Sequence, residues 1–151
     1  MVSRGIRDAP RATTDEGAAV ISASCHCGAV RIEIPYAPAT VTSCNCTICR
    51  RLGALWAFYP IDDVRIEFPD GAIEAYVWGQ GTRRFVRCRT CGCTTHVYPA
   101  SPKPESKVEV NARLFEPASL GPFRIRLFDG AGTWQYVGEM PVSPAVGGNR
   151  S

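Results

Sequence analysis

Short runs of alternating apolar and polar residues are the main pattern of the chain. In residues 29–35, AVRIEIP, the side chains of Val30, Ile32 and Ile34 share one face and charged residues share the other. This is typical of a half-buried antiparallel strand, and residues 123–128, FRIRLF, repeat it. Similar runs, many rich in β-branched or aromatic residues, predict ten strands at residues 19–24, 29–35, 54–60, 64–68, 72–78, 83–88, 95–99, 107–112, 123–128 and 134–138.

Turn signals separate these strands and leave little room for helix. Examples are PDG at 69–71, WGQGT at 78–82 and DGAGT at 129–133. A turn or two of helix is expected after Cys46, in TICRRLGA, and in FEPASLG, where Pro117 suits the first helical turn. The pattern therefore predicts a mainly β protein with little helix.

Length and composition indicate one domain. The chain has 151 residues, 45% of them hydrophobic, and we expect a single domain at residues 18–140 with flexible tails at 1–17 and 141–151. A net charge of +3 and a pI near 8.5 are too mild to predict nucleic-acid binding. The apolar runs are shorter than the roughly 20 residues of a membrane helix, and the N-terminal residues lack an apolar signal core. The sequence thus predicts a cytoplasmic protein that binds neither nucleic acid nor membrane.

The eight cysteines occur in three groups. In a reducing compartment such clusters indicate metal ligands or reactive thiols more than disulfides, although disulfide pairing is the alternative. The units CHCG and CRTCG are typical of zinc knuckles, because a tight turn points both sulfurs at one metal. Together they predict a complete four-cysteine structural zinc site formed by Cys25, Cys27, Cys88 and Cys91.

The remaining group, TSCNCTICRRLG at residues 42–53, has three sulfurs and no obvious fourth cysteine. Three protein ligands leave one position of a zinc ion for water or substrate, as in catalytic sites. Cys44, Cys46 and Cys49 are therefore the candidate catalytic residues and the ligands of a second zinc. Two alternatives are open: Cys93 or His96 completes a second structural site, or the three thiols form a metal-free redox cluster.

Four sequence blocks carry a family resemblance. The segments CHCGAV at 25–30, CNCTICRRLG at 44–53, CRTCGC at 88–93 and VNARLF at 110–115 resemble the signature blocks of the glutathione-dependent formaldehyde-activating enzymes, a family that includes centromere protein V. The resemblance implies a β-tent-like fold of small antiparallel sheets with a structural four-cysteine zinc. It also implies a three-cysteine zinc at which the founding enzyme condenses glutathione with formaldehyde to S-hydroxymethylglutathione.

By motif, Cys44, Cys46 and Cys49 are similar to the catalytic ligands of that family, and the other set to its structural ligands. The segment CGCTTHVY resembles a common subgroup of the family more than its founding enzyme. The founding substrate is therefore not carried over with the fold. In this motif we expect Cys93 to be a small buried apolar residue and His96 to be a structural, hydrogen-bonded histidine.

Charged residues next to the cysteines indicate what the second site binds. Arg50 directly follows Cys49, and a guanidinium group can hold a carboxylate through two hydrogen bonds, so Arg50 is the candidate substrate-binding residue for a glutathione-like thiol. The expected function is that of a zinc-dependent carbon–sulfur lyase joining a small thiol and a formaldehyde-like aldehyde. The alternative is a non-catalytic zinc module or a glutathione carrier, with two structural zincs.

Overall fold

A computed structural model describes residues 19–142 of the chain, and these form eleven strands. The strands, in chain order, are β1 (Ile21–Ser24), β2 (Arg31–Ile34), β3 (Thr40–Cys44), β4 (Trp56–Pro60), β5 (Arg65–Glu67), β6 (Ile73–Val77), β7 (Arg83–Cys88), β8 (Thr94–Pro99), β9 (Lys107–Asn111), β10 (Phe123–Phe128) and β11 (Tyr136–Val142).

The strands build two sheets. A three-stranded sheet has the order β1-β2-β5, and an eight-stranded sheet has the order β11-β10-β3-β4-β9-β8-β7-β6. All neighbouring strands are antiparallel except β3 and β10, which are parallel with Cys44 opposite Phe128. That one parallel pair brings the C-terminal hairpin of β10 and β11 beside the segment that carries the three-cysteine motif.

Helical structure within residues 19–142 is limited to single turns. Helix α1 spans Cys49–Leu52 and helix α2 spans Pro117–Leu120, with short 3-10 turns at Ile61–Asp63 and Ala112–Leu114. Both expected helical segments are present, and Pro117 occupies the first turn of α2 as predicted. None of the helices in residues 19–142 has the length and apolar character to cross a membrane.

The mainly β prediction is confirmed, with one strand missed. Each of the ten predicted strands overlaps an observed strand, but β3 was not predicted. The last strand extends to Val142, two residues past the expected domain boundary at residue 140. The expected tail at 1–17, and residues 143–151 of the other, lie outside the described residues.

Two apolar clusters support the sheets. The main core contains Ile32 and Ile34 of β2 and Val30 just before it, and all three are at most 1% exposed as the pattern predicted. A smaller cluster is formed by Cys49, Ala54, Trp56 and Val97, with Cys44, Cys46, Ile48 and Phe85 packed against it. Cys25 and Cys88 of the four-cysteine group belong to the main core, and Cys49 of the three-cysteine group belongs to the smaller cluster.

Candidate metal centres and the adjoining cavity

The structure brings Cys25, Cys27, Cys88 and Cys91 together across 66 residues of sequence, with all four sulfurs within 4.8 Å of one another. The Sγ of Cys27 lies 3.6 Å from the Sγ atoms of both Cys25 and Cys88. Four thiolates about 2.3 Å from a tetrahedral zinc ion would be separated by about 3.8 Å, so this donor set fits the ion. The group joins the β1–β2 turn to the end of β7 and the β7–β8 turn.

Two tight turns aim these sulfurs inward. Gly28 and Gly92 have φ angles of +80° and +74°, and each donates its backbone N–H to the carbonyl oxygen of the first cysteine of its knuckle, Cys25 or Cys88, at 2.9 Å. The backbone N–H groups of Cys91 and Thr90 outweigh the effect of burial and lower the pKa of the Cys88 thiol. The second knuckle thus provides amide donors that stabilise a thiolate, as a metal site requires.

The structure also brings Cys44, Cys46 and Cys49 together, with their sulfurs within 4.8 Å of one another. Cys44 ends β3, Cys46 lies in the following turn and Cys49 is the first residue of α1, so the three ligands come from six consecutive positions. The buried indole of Trp56 donates its Nε1–H to the Sγ of Cys49 at 3.3 Å. Below, these three cysteines are called the trio.

The protonation of the trio is uneven. Burial raises the pKa values of the Cys44 and Cys49 thiols. Burial also acts to raise the pKa of the Cys46 thiol. Hydrogen bonds from the backbone N–H groups of Cys49 and Ile48 and from the neighbouring thiols outweigh burial, so the pKa of Cys46 lies below its ordinary value. Cys46 is the most acidic thiol of the three, and a divalent cation would be needed to hold all three as thiolates.

Neither Cys93 nor His96 joins the trio. Cys93 is half-buried and packs against the main core. His96 is 4% exposed, and its Nδ1 lies 2.9 Å from Oγ1 of Thr95. Its ring meets Tyr98 edge-on, whereas Val97, the next residue on β8, packs in the trio's cluster. Successive side chains of a strand point to opposite faces, so His96 cannot complete this site.

The β10–β11 turn packs over the trio, and the sequence analysis did not place it there. The side chain of Asn45 donates to Oδ1 of Asp129 at 2.7 Å and accepts the backbone N–H of Ala131 at 2.9 Å. The Asn45 side chain is therefore the main link, and it also lowers the pKa of the Asp129 carboxyl, together with Thr133. DGAGT at 129–133 was recognised only as a turn signal.

A cavity of about 430 Å³ opens beside the trio. The lining includes Cys44 and Cys49, the two arginines Arg50 and Arg113, and an apolar wall formed by Leu55, Leu127, Phe128 and Val137. Both guanidinium groups are free of ion pairs to carboxylates within residues 19–142. The cavity thus combines sulfur ligands with the positive charge of two guanidinium groups.

The other arginines near the cysteine motifs have different partners. Arg83 pairs with Glu109 at 2.8 Å and Arg87 with Glu74 at 2.7 Å. Arg51 donates to the carbonyl oxygen of Thr47 at 2.7 Å and lines a second groove, beside Trp78 and on another face of α1. Of the two consecutive arginines in the motif, only Arg50 lines the trio's cavity.

Arg113 was not singled out by the sequence analysis, although it lies in the VNARLF block. It is held in place by Asn111, which is buried and accepts the backbone N–H groups of Arg113 and Leu55 at 3.2 and 3.4 Å. The amide of Asn111 also donates to the carbonyl oxygen of Thr94 at 2.8 Å. Asn111 therefore has a structural role, because its hydrogen bonds fix the backbone that carries Arg113 to the cavity.

Comparison with known proteins decides the family. The family model described as glutathione-dependent formaldehyde-activating enzyme matches residues 20–123, which include both cysteine sets. The chain belongs to this family. The resemblance given by the four sequence blocks is thereby confirmed for most of the described domain.

One solved relative of this formaldehyde-activating family member is the crystal structure of a Rhodobacter sphaeroides protein, determined as a structural genomics target. It is 36% identical, with a TM-score of 0.55, over 64% of this chain and 88% of that chain. A comparison with curated proteins gave no match. The family match ends at Phe123, the first residue of β10, so the rest of the β10–β11 hairpin that packs over the trio lies beyond the matched residues.

Proposed function

We propose that the protein joins a small, carboxylate-bearing thiol such as glutathione to a formaldehyde-like aldehyde, and that it holds two zinc ions. The observation that carries this proposal is the trio of sulfurs beside a cavity lined by two guanidinium groups that have no carboxylate partner among residues 19–142. Cys25, Cys27, Cys88 and Cys91 would hold a structural ion, and Cys44, Cys46 and Cys49 the second. Family membership supports the reaction class.

The chemistry supplied by zinc in the second site, when bound, is Lewis acidity that keeps a visiting thiol deprotonated near neutral pH. The chain's own residues bind and orient that thiol. Arg50 and Arg113 would hold the carboxylates of the thiol, since a guanidinium group can grip a carboxylate with two hydrogen bonds. Leu127 and Phe128 would limit the access of water to the sulfur.

The reaction balances without an oxidant or a reductant. The thiolate sulfur forms a bond to the carbonyl carbon, the carbonyl π bond breaks, and the oxygen takes up the proton that the thiol released. The product is an S-hydroxyalkyl hemithioacetal, and the reverse sequence releases the aldehyde and the thiol. The contribution of the chain is to fix the distance and the orientation between sulfur and carbon.

Exchange spectroscopy by nuclear magnetic resonance tests the proposal. The exchange rate between glutathione and its formaldehyde adduct is measured with and without the zinc-loaded protein. We expect acceleration by the wild type and none by Cys46→Ser. A rate equal to the spontaneous one would reject the reaction. If glutathione still bound, that result would favour the glutathione carrier.

A pair of neighbouring variants tests the role of the cavity. Arg50→Gln should raise KM for glutathione about tenfold or more with little change in kcat, because the loss of a charge-assisted hydrogen bond is worth roughly 1.5–3 kcal/mol. Arg51→Gln is the matched control, since the Arg51 guanidinium bonds to Thr47 outside this cavity. Equal KM values in the two variants would contradict the assignment of Arg50.

A further inference from the structure

The β10–β11 turn at residues 129–134 touches the trio directly through Gly130. A Cβ atom added at Gly130 would lie 2.6 Å from Sγ of Cys44 and 3.2 Å from Cβ of Cys46. Its φ angle is not in the left-handed region, so the backbone conformation does not require glycine. Space requires it, because the backbone of the turn lies against the sulfur of Cys44.

A double hydrogen bond fixes this contact from within the cysteine motif. The amide of Asn45, the residue between Cys44 and Cys46, donates to Asp129 and accepts from the backbone of Ala131. The second oxygen of Asp129 accepts the backbone N–H of Thr133 at 2.8 Å. We call the Asn45–Asp129 pair the clasp, since it ties the cysteine motif to the start of the turn.

The turn also carries local backbone strain. Trp134 has a φ angle of +57°, the only positive value at a non-glycine residue within residues 19–142. Its ring meets that of Phe128 edge-on, with centroids 5.8 Å apart, and Phe128 is part of the cavity wall. Such a conformation persists where surrounding contacts determine it, and it occurs often at functional sites.

We propose that residues 129–134 form a built-in cap of the trio, which orients the sulfur of Cys44 through Gly130 and is held by the clasp. The proposal rests on the proposed metal site at the trio. Gly130, Asn45 and Asp129 are positioning residues, because they act on the ligand Cys44. The cap lies C-terminal to residues 20–123, which the family model matches.

Gly130→Ala tests the contact, and Gly138→Ala is its control. A Cβ at Gly138 would lie 3.6 Å from Leu127, an ordinary contact. Zinc affinity at each site is measured by competition with a chromophoric chelator, and Co²⁺ absorption bands report the geometry of each thiolate set. We expect Gly130→Ala to lower the zinc affinity of the trio about 10–100-fold, as the loss of supporting contacts around metal ligands does. The four-cysteine site and the control should be unchanged.

A charge exchange in the clasp tests the cap without adding volume. Asn45→Asp places two carboxylates face to face and should weaken zinc binding at the trio. Adding Asp129→Asn reverses donor and acceptor and should restore it. A double variant as weak as Asn45→Asp would overturn the cap, as would Gly130→Ala with wild-type affinity and Co²⁺ bands.

The failure of the cap is distinguishable from the failure of the proposed function. A wild-type protein that binds two zinc ions and accelerates exchange, with no selective effect of the cap variants, would reject the cap alone. A wild-type protein that binds a single zinc ion at the four-cysteine site would reject both.

Discussion

The hydrogen bond from Trp56 to Cys49 should stabilise the loaded trio, and Trp56→Phe tests this directly. Trp56 is 1% exposed, and its indole N–H points at the Cys49 sulfur at a separation of 3.3 Å. Phenylalanine keeps the six-membered ring in the small core, where Trp56 also meets Phe85 edge-on, and it removes the donor. The thiolate of Cys49 would then be buried with one donor fewer.

The expected loss follows from the charge on the acceptor. A hydrogen bond to a charged group contributes roughly 1.5–3 kcal/mol, so trio affinity should fall about 10–150-fold. The smaller ring also leaves a void, which lowers the free energy of unfolding by about 1 kcal/mol. These two effects are separable because the first is confined to one metal site.

Stepwise zinc competition, followed with a chromophoric chelator, measures both sites in one experiment. Trp78→Phe is the control, since its indole lines the second groove and is 42% exposed. We expect only Trp56→Phe to weaken the trio. Equal trio affinities for wild type and Trp56→Phe would refute the reasoning, and an equal loss at both sites would attribute the effect to general destabilisation.

Two further predictions concern stability. Cys27→Ser should unfold the domain, because a structural zinc contributes about 10–16 kcal/mol, more than the usual net stability of a domain. Cys46→Ser should remain folded. Circular dichroism separates these outcomes, and two folded variants would contradict the division of roles. Burial lowers the pKa of His96 to about 4, so the unfolded chain binds its proton more tightly and stability falls as pH drops from about 6.5 to about 4. His96→Gln should remove this pH dependence, which is worth roughly 3 kcal/mol of the free energy of unfolding. Urea denaturation at several pH values measures it, and parallel pH profiles for the two proteins would oppose the prediction.

The cysteine sets could be read from the sequence because their physical causes are local. A knuckle consists of two cysteines, separated by one or two residues and followed by a glycine. CHCG and CRTCG therefore indicate a set of metal ligands before any fold is known. The strands with strict alternation, such as β2, were predictable for the same reason. Their hydrophobic pattern is contained within each strand.

The missed elements depend on contacts between distant parts of the chain. β3, TVTSC, has a single large apolar residue, Val41, and is a strand because β4 and β10 pair with it. Asn45 and Asp129 are 84 residues apart and meet only because β10 runs parallel to β3. Arg113 reaches the cavity through the turn fixed by Asn111. No periodicity in the sequence encodes these register choices.

The two cysteine sets have different relationships to the fold, and this difference supports the division of their roles. The four-cysteine set joins segments more than sixty residues apart, so its ligands can meet only in the folded chain, and metal binding there would be coupled to folding. The trio comes from six consecutive positions and constrains little of the chain. Its geometry instead depends on neighbours that the fold brings to it, Trp56 beneath Cys49 and Gly130 against Cys44. The fold positions the trio, whereas the trio ties no distant segments of the chain together. One ligand position of a metal ion held by the trio would therefore be free for substrate.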